Sequence, residues 1–311
     1  MAAEEYPLVT VIAACYNHET FAVECLEGIR KQTYPNIQLI ITDDCSHDRS
    51  VEIIEEWITR NQVKCQFVKH TENVGFPRTL NEALSWAKGE YISIISTDDY
   101  WSSGFIENRV KIFTENDEKV GVVYGRTLPI DVDGEEFPYT LPRKSPAPEG
   151  NIYKELLRVC FIPAMSTMIR ATCYQKVGFY DENLTNEDYD MWLRIADFFD
   201  FKFSPDILSI YRIHENSMSN LYRDKVNLSR TQVFFKQLSL KPENKIEIEN
   251  RIAAHAEVLY KNNHPNYKYY VKIAISRIPS KSSFILYLFA ILGIPYSRYE
   301  KFKKFFKNTK R

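Results

Sequence analysis

Residues 92–101, ISIISTDDYW, run from an apolar stretch straight into two adjacent aspartates and two large aromatics. Adjacent carboxylates repel one another, and a buried strand is a poor place for either. The apolar run therefore ends at the acids, and Asp98 and Asp99 stand at a strand end, facing whatever positive charge the molecule binds there. Runs of the same kind recur on both sides: LVTVIAA (8–14), IQLIIT (37–42), KCQFVK (64–69), EYISIIS (90–96) and KVGVVYG (119–125). Between them lie helical periods, one through about Gln32, then RSVEIIEEWITR (49–60) and RTLNEALSWAK (78–88). Alternation of β and α at this spacing predicts an α/β fold with a doubly wound, mostly parallel sheet flanked by helices.

Residues 131–150, DVDGEEFPYTLPRKSPAPEG, hold four prolines and two glycines, which predicts a loop or loose hairpin and a seam between two halves. Beyond it, AMSTMIR (164–170) and ILSIYRI (207–213) are expected as strands flanking a helix over EDYDMWLRIADFF (187–199), and the pattern is helical from about 223 onward. Three segments follow: 1–125, 126–222 and a helical extension over 223–311.

In open parallel sheets ligands bind outside the carboxyl ends of the strands. Three predicted strands end there in polar residues: CYN (15–17), TDDCS (42–46) and STDDYW (96–101). Asp43, Asp44, Asp98 and Asp99 thus converge on one edge. Capping of the following helix explains one acid per loop, but not two doublets facing one crevice. Paired carboxylates suit a hard divalent cation, Mn2+ or Mg2+, that shares its shell with substrate phosphates. Asp98 and Asp99 are accordingly expected to meet a metal–diphosphate complex.

VTVIAACYNHETFAVECLEGIRKQTYPNIQLIITDDCSHDRS (9–50) resembles the N-terminal signature of the inverting family 2 glycosyltransferases, which have the GT-A fold. ENVGFPRTLNEALSWAKGEYISIISTDDYW (72–101) continues the resemblance in register, and NEDYDMWLRIA (186–196) is similar to the family's acidic acceptor-side helix. It extends over residues 8 to about 217. The resemblance implies a nucleotide-sugar donor, with Tyr16 and Asp44 holding base and ribose, Arg78 near the nucleotide, and Ala14, Asp43 and Asp98 completing that site. Asp98 and Asp99 stand where the family has its DxD-type metal motif, Asp99 being the expected direct ligand and Asp98 the next choice. The first acid of the commoner DxDD pattern is Ser96 here. Arg212 and His214, in YRIHENSMS (211–219), resemble a position that closes over the diphosphate or adds a metal ligand.

Glu187 and Asp188 open a predicted helix whose Met191, Trp192, Ile195 and Phe199 form an apolar stripe. Acids in a first helical turn are favoured by the dipole alone, so the residues leave a structural and a functional reading equally open. The resemblance makes Asp188 the general base that takes the acceptor's proton, with Glu187 beside it. The expected acceptor is a glycan or lipid-linked oligosaccharide in surface polysaccharide synthesis, such as O-antigen or capsule.

The bulk properties agree with a globular protein of one large or two small domains: 311 residues, 44% hydrophobic and 26% charged. A net charge of −1 gives no field that favours nucleic acid. Six scattered cysteines without a CxxC pair, and no leader pattern, suggest reduced thiols and a cytoplasmic location. A sugar-nucleotide pyrophosphorylase would be expected to carry a glycine-rich loop after the first strand, and AACYNHETF has no glycine. A dinucleotide-dependent oxidoreductase fails for want of GxGxxG. A non-catalytic nucleotide-sugar-binding protein would have no need of acids at both sites. At the far end, SFILYLFAILGI (283–294) is too short to span a bilayer, and residues 298–311 hold seven Lys/Arg against one Glu. With Phe302, Phe305 and Phe306 on one face, this end reads either as a helix lying on an anionic membrane surface, hence peripheral attachment, or as a terminal helix packed on its own domain.

Overall fold

A computed structural model describes residues 6–143, 147–215, 217, 223–277 and 279–308. Its first half is built from β1 (Val9–Cys15), α1 (Ala22–Arg30), β2 (Ile37–Asp43), α2 (Ser50–Asn61), β3 (Cys65–Lys69), α3 (Phe76–Ser85) and β4 (Tyr91–Ser96). These four strands are mutually parallel, with β1 between β2 and β4. Every residue of β1 is buried, as expected for a central strand covered on both faces.

The sheet continues through β5 (Tyr100–Trp101), α4 (Phe105–Thr114), β6 (Val120–Ile130), α5 (Tyr153–Arg158), β7 (Met168–Arg170), α6 (Ala171–Val177), α7 (Glu187–Ile195) and β8 (Asp200–Arg212). The eight strands lie in the order β3-β2-β1-β4-β7-β6-β8-β5. The short β7 runs antiparallel to both β4 and β6 and joins the two halves of the sheet. Strands on both sides of the expected 125/126 seam therefore share one sheet.

Several elements differ in extent from the sequence expectation. β6 runs on to Ile130 and pairs in parallel with the whole of β8, which starts at Asp200 rather than 207. Its opening residues, DFKFSP, are too polar to stand out as a strand, yet Phe201 and Ser204 are buried beside β6. α7 stops at Ile195, short of Phe199, and Ala164–Ser166 form a 3-10 turn before β7. β5 is two residues long and exists because Tyr100 and Trp101 pair with Ile210 and Ser209 of β8. Trp101 is buried and stacks on Phe105, with ring centroids 4.1 Å apart. α1 approaches this spot closely: a Cβ on Gly28 would sit 2.8 Å from the Trp101 carbonyl oxygen, so only glycine fits.

Residues 1–183 and 187–217 form one compact unit; 184–186 and 218–311 form a second. The described part of the second is helical: Arg223–Leu240, Lys245–Ala254, Ala256–Lys261, Tyr267–Arg277, Lys281–Ile291 and Tyr296–Asn308. The Ser229 hydroxyl accepts hydrogen bonds from the Thr185 and Asn186 amides, at 2.9 and 3.0 Å. On the last helix Tyr299 is buried and faces Phe289 at 5.6 Å, Phe302 faces the same ring at 5.3 Å, and Lys303 pairs with Glu257 at 2.7 Å. Phe302 is thus spent on a helix–helix contact, while the side chains of Phe305 and Phe306 lie outside the described residues. Among the described residues no helix is long and apolar enough to cross a membrane.

Candidate active site

The carboxyl edge of the parallel strands is organised by β1. The Thr97 amide donates to the Ala14 carbonyl at 2.9 Å, and the Asp44 amide to the Cys15 carbonyl at 3.0 Å. Both loops that flank β1 are hooked onto it by these bonds. Asn17 and Cys45 adopt left-handed backbone, φ 58° and 63°, which turns each chain back over the edge. The loops then lock together: the Asn17 amide donates to Ser46 Oγ at 2.8 Å, and the Asn17 side-chain oxygen accepts from the His47 amide at 2.7 Å. Tyr16 is half-buried in this frame, its ring edge-on to His47 at 6.4 Å.

The two acid doublets are partnered differently. Asp43 is fully buried and accepts from both the amide and the hydroxyl of Ser46, at 2.8 and 2.6 Å. Asp44 accepts from the Val74 and Gly75 amides, at 2.8 and 3.0 Å, and lies 3.0 Å from His70 Nδ1. Gly75 has φ 90° and leads into α3, whose first turn carries the exposed Arg78. The other nitrogen of His70 meets Glu82 at 3.0 Å, and Glu82 pairs in turn with Arg78 at 3.5 Å. A chain of polar contacts thus runs from Asp44 to Arg78.

Asp98 and Asp99 are both buried. Asp99 Oδ1 accepts the Arg212 amide at 2.9 Å, which fastens it to the end of β8. Burial, with the neighbouring Asp98 charge, pushes the Asp99 carboxyl well above the usual carboxylate range. Asp98 has the opposite fate. Burial pushes its carboxyl up, but the His214 hydrogen bond, the His18 charge and the Ser96 hydroxyl outweigh it and hold it at about 2. Burial also holds His18 below its ordinary range, so near neutral pH the His214 bond contributes more than the His18 charge. Asp98 Oδ2 lies 3.1 Å from His214 Nε2 and 3.6 Å from His18 Nε2. Asp98 Oδ1 is buried without a hydrogen-bond partner of acceptable geometry.

A buried carboxylate with one oxygen orphaned and the other facing two imidazoles fits a divalent cation. Among the described residues no three His, Cys, Asp or Glu side chains form a closed metal cage, so such a cation would complete its shell with donor phosphates. His18 was not among the residues read from the sequence. Its place three residues after the end of β1, at the carboxyl edge of the sheet, is the available signal.

Arg212 is held rather than free. Its guanidinium donates to the Asp98 and Asp131 carbonyls at 3.2 Å each, pairs with Glu24, and lies 4.6 Å over the Phe21 ring. It anchors the Asp98–Asp99 loop to β8 and α1. Glu187 and Asp188 stand in the first turn of α7, Glu187 buried and Asp188 half-buried. Burial, reinforced by Asp188, pushes the Glu187 carboxyl well up, toward its neutral form. Asp188 Oδ1 accepts the Tyr189 amide at 2.7 Å. The helix is pinned by Asp190, which pairs with Arg194 at 2.8 Å while Arg194 donates to the Val177 and Phe179 carbonyls.

Comparison with known proteins agrees with this frame. Residues 10–176 match the model of glycosyl transferase family 2. An uncharacterized glycosyltransferase of Rickettsia felis is 31% identical over 216 residues; the match covers 68% of this chain but only 35% of that one, so the chain spans about a third of that relative's length. The UDP-Glc:alpha-D-GlcNAc-diphosphoundecaprenol beta-1,3-glucosyltransferase WfaP of Escherichia coli is 31% identical over 241 residues, covering 77% of this chain and 90% of that one. The mannosyltransferase PcManGT of Pyrobaculum calidifontis, solved with GDP-Man and Mn2+, superposes with a TM-score of 0.61 at 21% identity, over 95% of this chain and 84% of that one. That likeness shows the GT-A-type fold. On the match over residues 10–176, the chain belongs to glycosyl transferase family 2.

Proposed function

We propose that the protein is a metal-assisted inverting hexosyltransferase that moves one sugar from a UDP-hexose to a lipid-linked oligosaccharide or other glycan acceptor in surface polysaccharide synthesis. The observation that carries this reading is the buried Asp98 carboxylate at the carboxyl edge of the sheet, whose Oδ2 faces His18 and His214 and whose Oδ1 has no hydrogen-bond partner. The E. coli relative's UDP-Glc donor and diphosphoundecaprenol-linked acceptor support the substrate class, and the mannosyltransferase's Mn2+ supports a metal.

In this reading Tyr16, Asp44 and the strand-end backbone at Ala14 and Asp43 receive base and ribose, and Arg78 lies toward the nucleotide. Asp98, rather than Asp99, would hold a Mn2+ or Mg2+ ion, with His214 and His18 beside it. The ion would neutralise charge on the leaving diphosphate. Asp188 accepts the acceptor hydroxyl's proton as that oxygen bonds to the anomeric carbon; the bond to the diphosphate breaks, and its electron pair leaves with UDP. Proton removal of this kind contributes roughly 10²–10⁴-fold. Glu187, beside Asp188, is buried and shifted toward its neutral form.

The test is UDP release from UDP-glucose, with and without a diphosphate-linked GlcNAc acceptor, followed by NMR of the product linkage. A β linkage from the α donor, formed only with divalent metal, is expected. Retention of configuration, or full rate in excess chelator, would overturn the mechanism.

A further inference from the structure

The helix Lys281–Ile291 carries an uncharged run, FILYLFAI, over residues 284–291. One face is consumed within its own unit, where Leu286 and Ala290 are buried and Phe289 packs on Tyr299 and Phe302. The opposite face is uncovered. Phe284, Leu288, Ile291 and Leu292 are 52%, 41%, 42% and 71% exposed. Their spacing of three to four residues places them in one stripe. Single exposed apolar side chains are ordinary, but a run of large ones on one face marks an interaction surface. Exposed Lys281 precedes the stripe in the chain and exposed Arg298 follows it, and residues 298 to 311 hold seven Lys/Arg against one Glu.

We propose that this face lies flat in the interface of an anionic lipid bilayer, with Phe284, Leu288, Ile291 and Leu292 entering the acyl boundary and the flanking cations meeting lipid phosphates. Charge decides between the two occupants such a stripe could have. A second copy packed on it about a two-fold axis would bring a second set of these cations to the same surface, whereas anionic headgroups complement them. The inserting surface is thus the helix 281–291 itself, not the Phe302 face, which is turned inward. The inference stands apart from the donor, metal and base assignments and can fail without them.

The experiment is co-sedimentation of the full chain with vesicles of phosphatidylcholine alone and with added phosphatidylglycerol. Wild-type protein should bind the anionic vesicles, more weakly as salt rises. A double variant Leu288→Glu/Ile291→Glu keeps every cation and alters only exposed positions, so its melting temperature should hold while binding falls at least about tenfold. Lys281→Glu/Arg298→Glu reverses two cations and should weaken binding by more than about fivefold per residue. Folded Leu288→Glu/Ile291→Glu protein that binds anionic vesicles like the wild type overturns the proposal. So does a wild-type protein that ignores vesicles and forms a dimer that this variant dissolves.

Discussion

Two aspartate doublets stand at neighbouring strand ends on either side of β1, and they have nearly the same sequence signature: TDDCS after β2 and TDDYW after β4. Their surroundings separate them. The oxygens of Asp43 and Asp44 receive donors from Ser46, Val74 and Gly75, so this doublet is largely used in shaping its own loop. In the second doublet Asp99 is tied to β8, while Asp98 turns one oxygen to two imidazoles and keeps the other buried and unpartnered. The lesson is that adjacent acids acquire their role from the supply of local donors. Where the backbone satisfies a carboxylate it builds structure, and where it does not the carboxylate awaits a ligand.

The sharpest break of this comparison is Asp98→Ala. Transfer should fall more than about 10³-fold and no longer respond to added Mn2+, since a lost preorganised charge at the leaving group costs on that scale. Asp99→Asn should instead keep both the fold and the Mn2+ response, because an amide oxygen still accepts the Arg212 amide where the shifted carboxyl did. If Asp99→Asn alone removes the metal response and Asp98→Ala does not, the two roles are exchanged. Next, Asp188→Asn should lower kcat by roughly 10²–10⁴-fold while UDP affinity, measured by calorimetry, stays near wild type. Loss of UDP binding with normal turnover of bound donor would exclude Asp188 as the base.

Asp43→Ala should act on folding, not chemistry. Removing both Ser46 partners is expected to cost about 1–3 kcal/mol, read as a lower denaturant midpoint. A smaller effect tests the link from Asp44 to Arg78. His70→Asn keeps a donor where Nδ1 stood and should retain UDP affinity; His70→Gln keeps one only toward Glu82 and should weaken it by about tenfold. Equal affinities would show the link to be structural.

The smallest effect concerns Glu187. Its folded carboxyl is raised above the unfolded value, so its contribution is intact below about pH 4.5 and is lost as pH climbs through the folded value. Glu187→Gln removes that loss. Its melting temperature should match wild type near about pH 4 and exceed it by a few degrees near about pH 8. A gap that is constant with pH would contradict the buried, proton-holding Glu187.

The sheet was legible where burial is continuous: the apolar runs ending at Ala14, Thr42 and Ser96 are β1, β2 and β4 in nearly the expected bounds. It was illegible where a strand exists only because of its partner. β5 is two residues held by β8, and the polar start of β8 is held by β6. Tertiary pairing overrides local pattern there. At the site, the carboxylates were readable because acids at strand ends are conspicuous. His18 and His70 were not, because a lone histidine carries no periodic signal and its meaning comes from residues distant in sequence: Thr97 and Asp98 for one, Asp44 and Glu82 for the other. The resemblance sets Arg212 at a position that closes over the diphosphate or adds a metal ligand; the contacts its guanidinium makes, to the Asp98 and Asp131 carbonyls of other loops, carry no signal in the local sequence.

The place of β7 also has a consequence for synthesis on the ribosome. β4 is complete at Ser96, but the strand that covers its outer edge does not emerge until Met168–Arg170, about 70 residues later. At translation rates of roughly 5–20 residues per second, the nascent four-stranded half waits about 4–14 s with the β4 backbone unpaired along one side. An uncovered edge is a template for pairing with another chain. Nascent chains stalled near residue 160 should therefore recruit chaperones or aggregate, and those stalled past β8, far enough to clear the exit tunnel, should not.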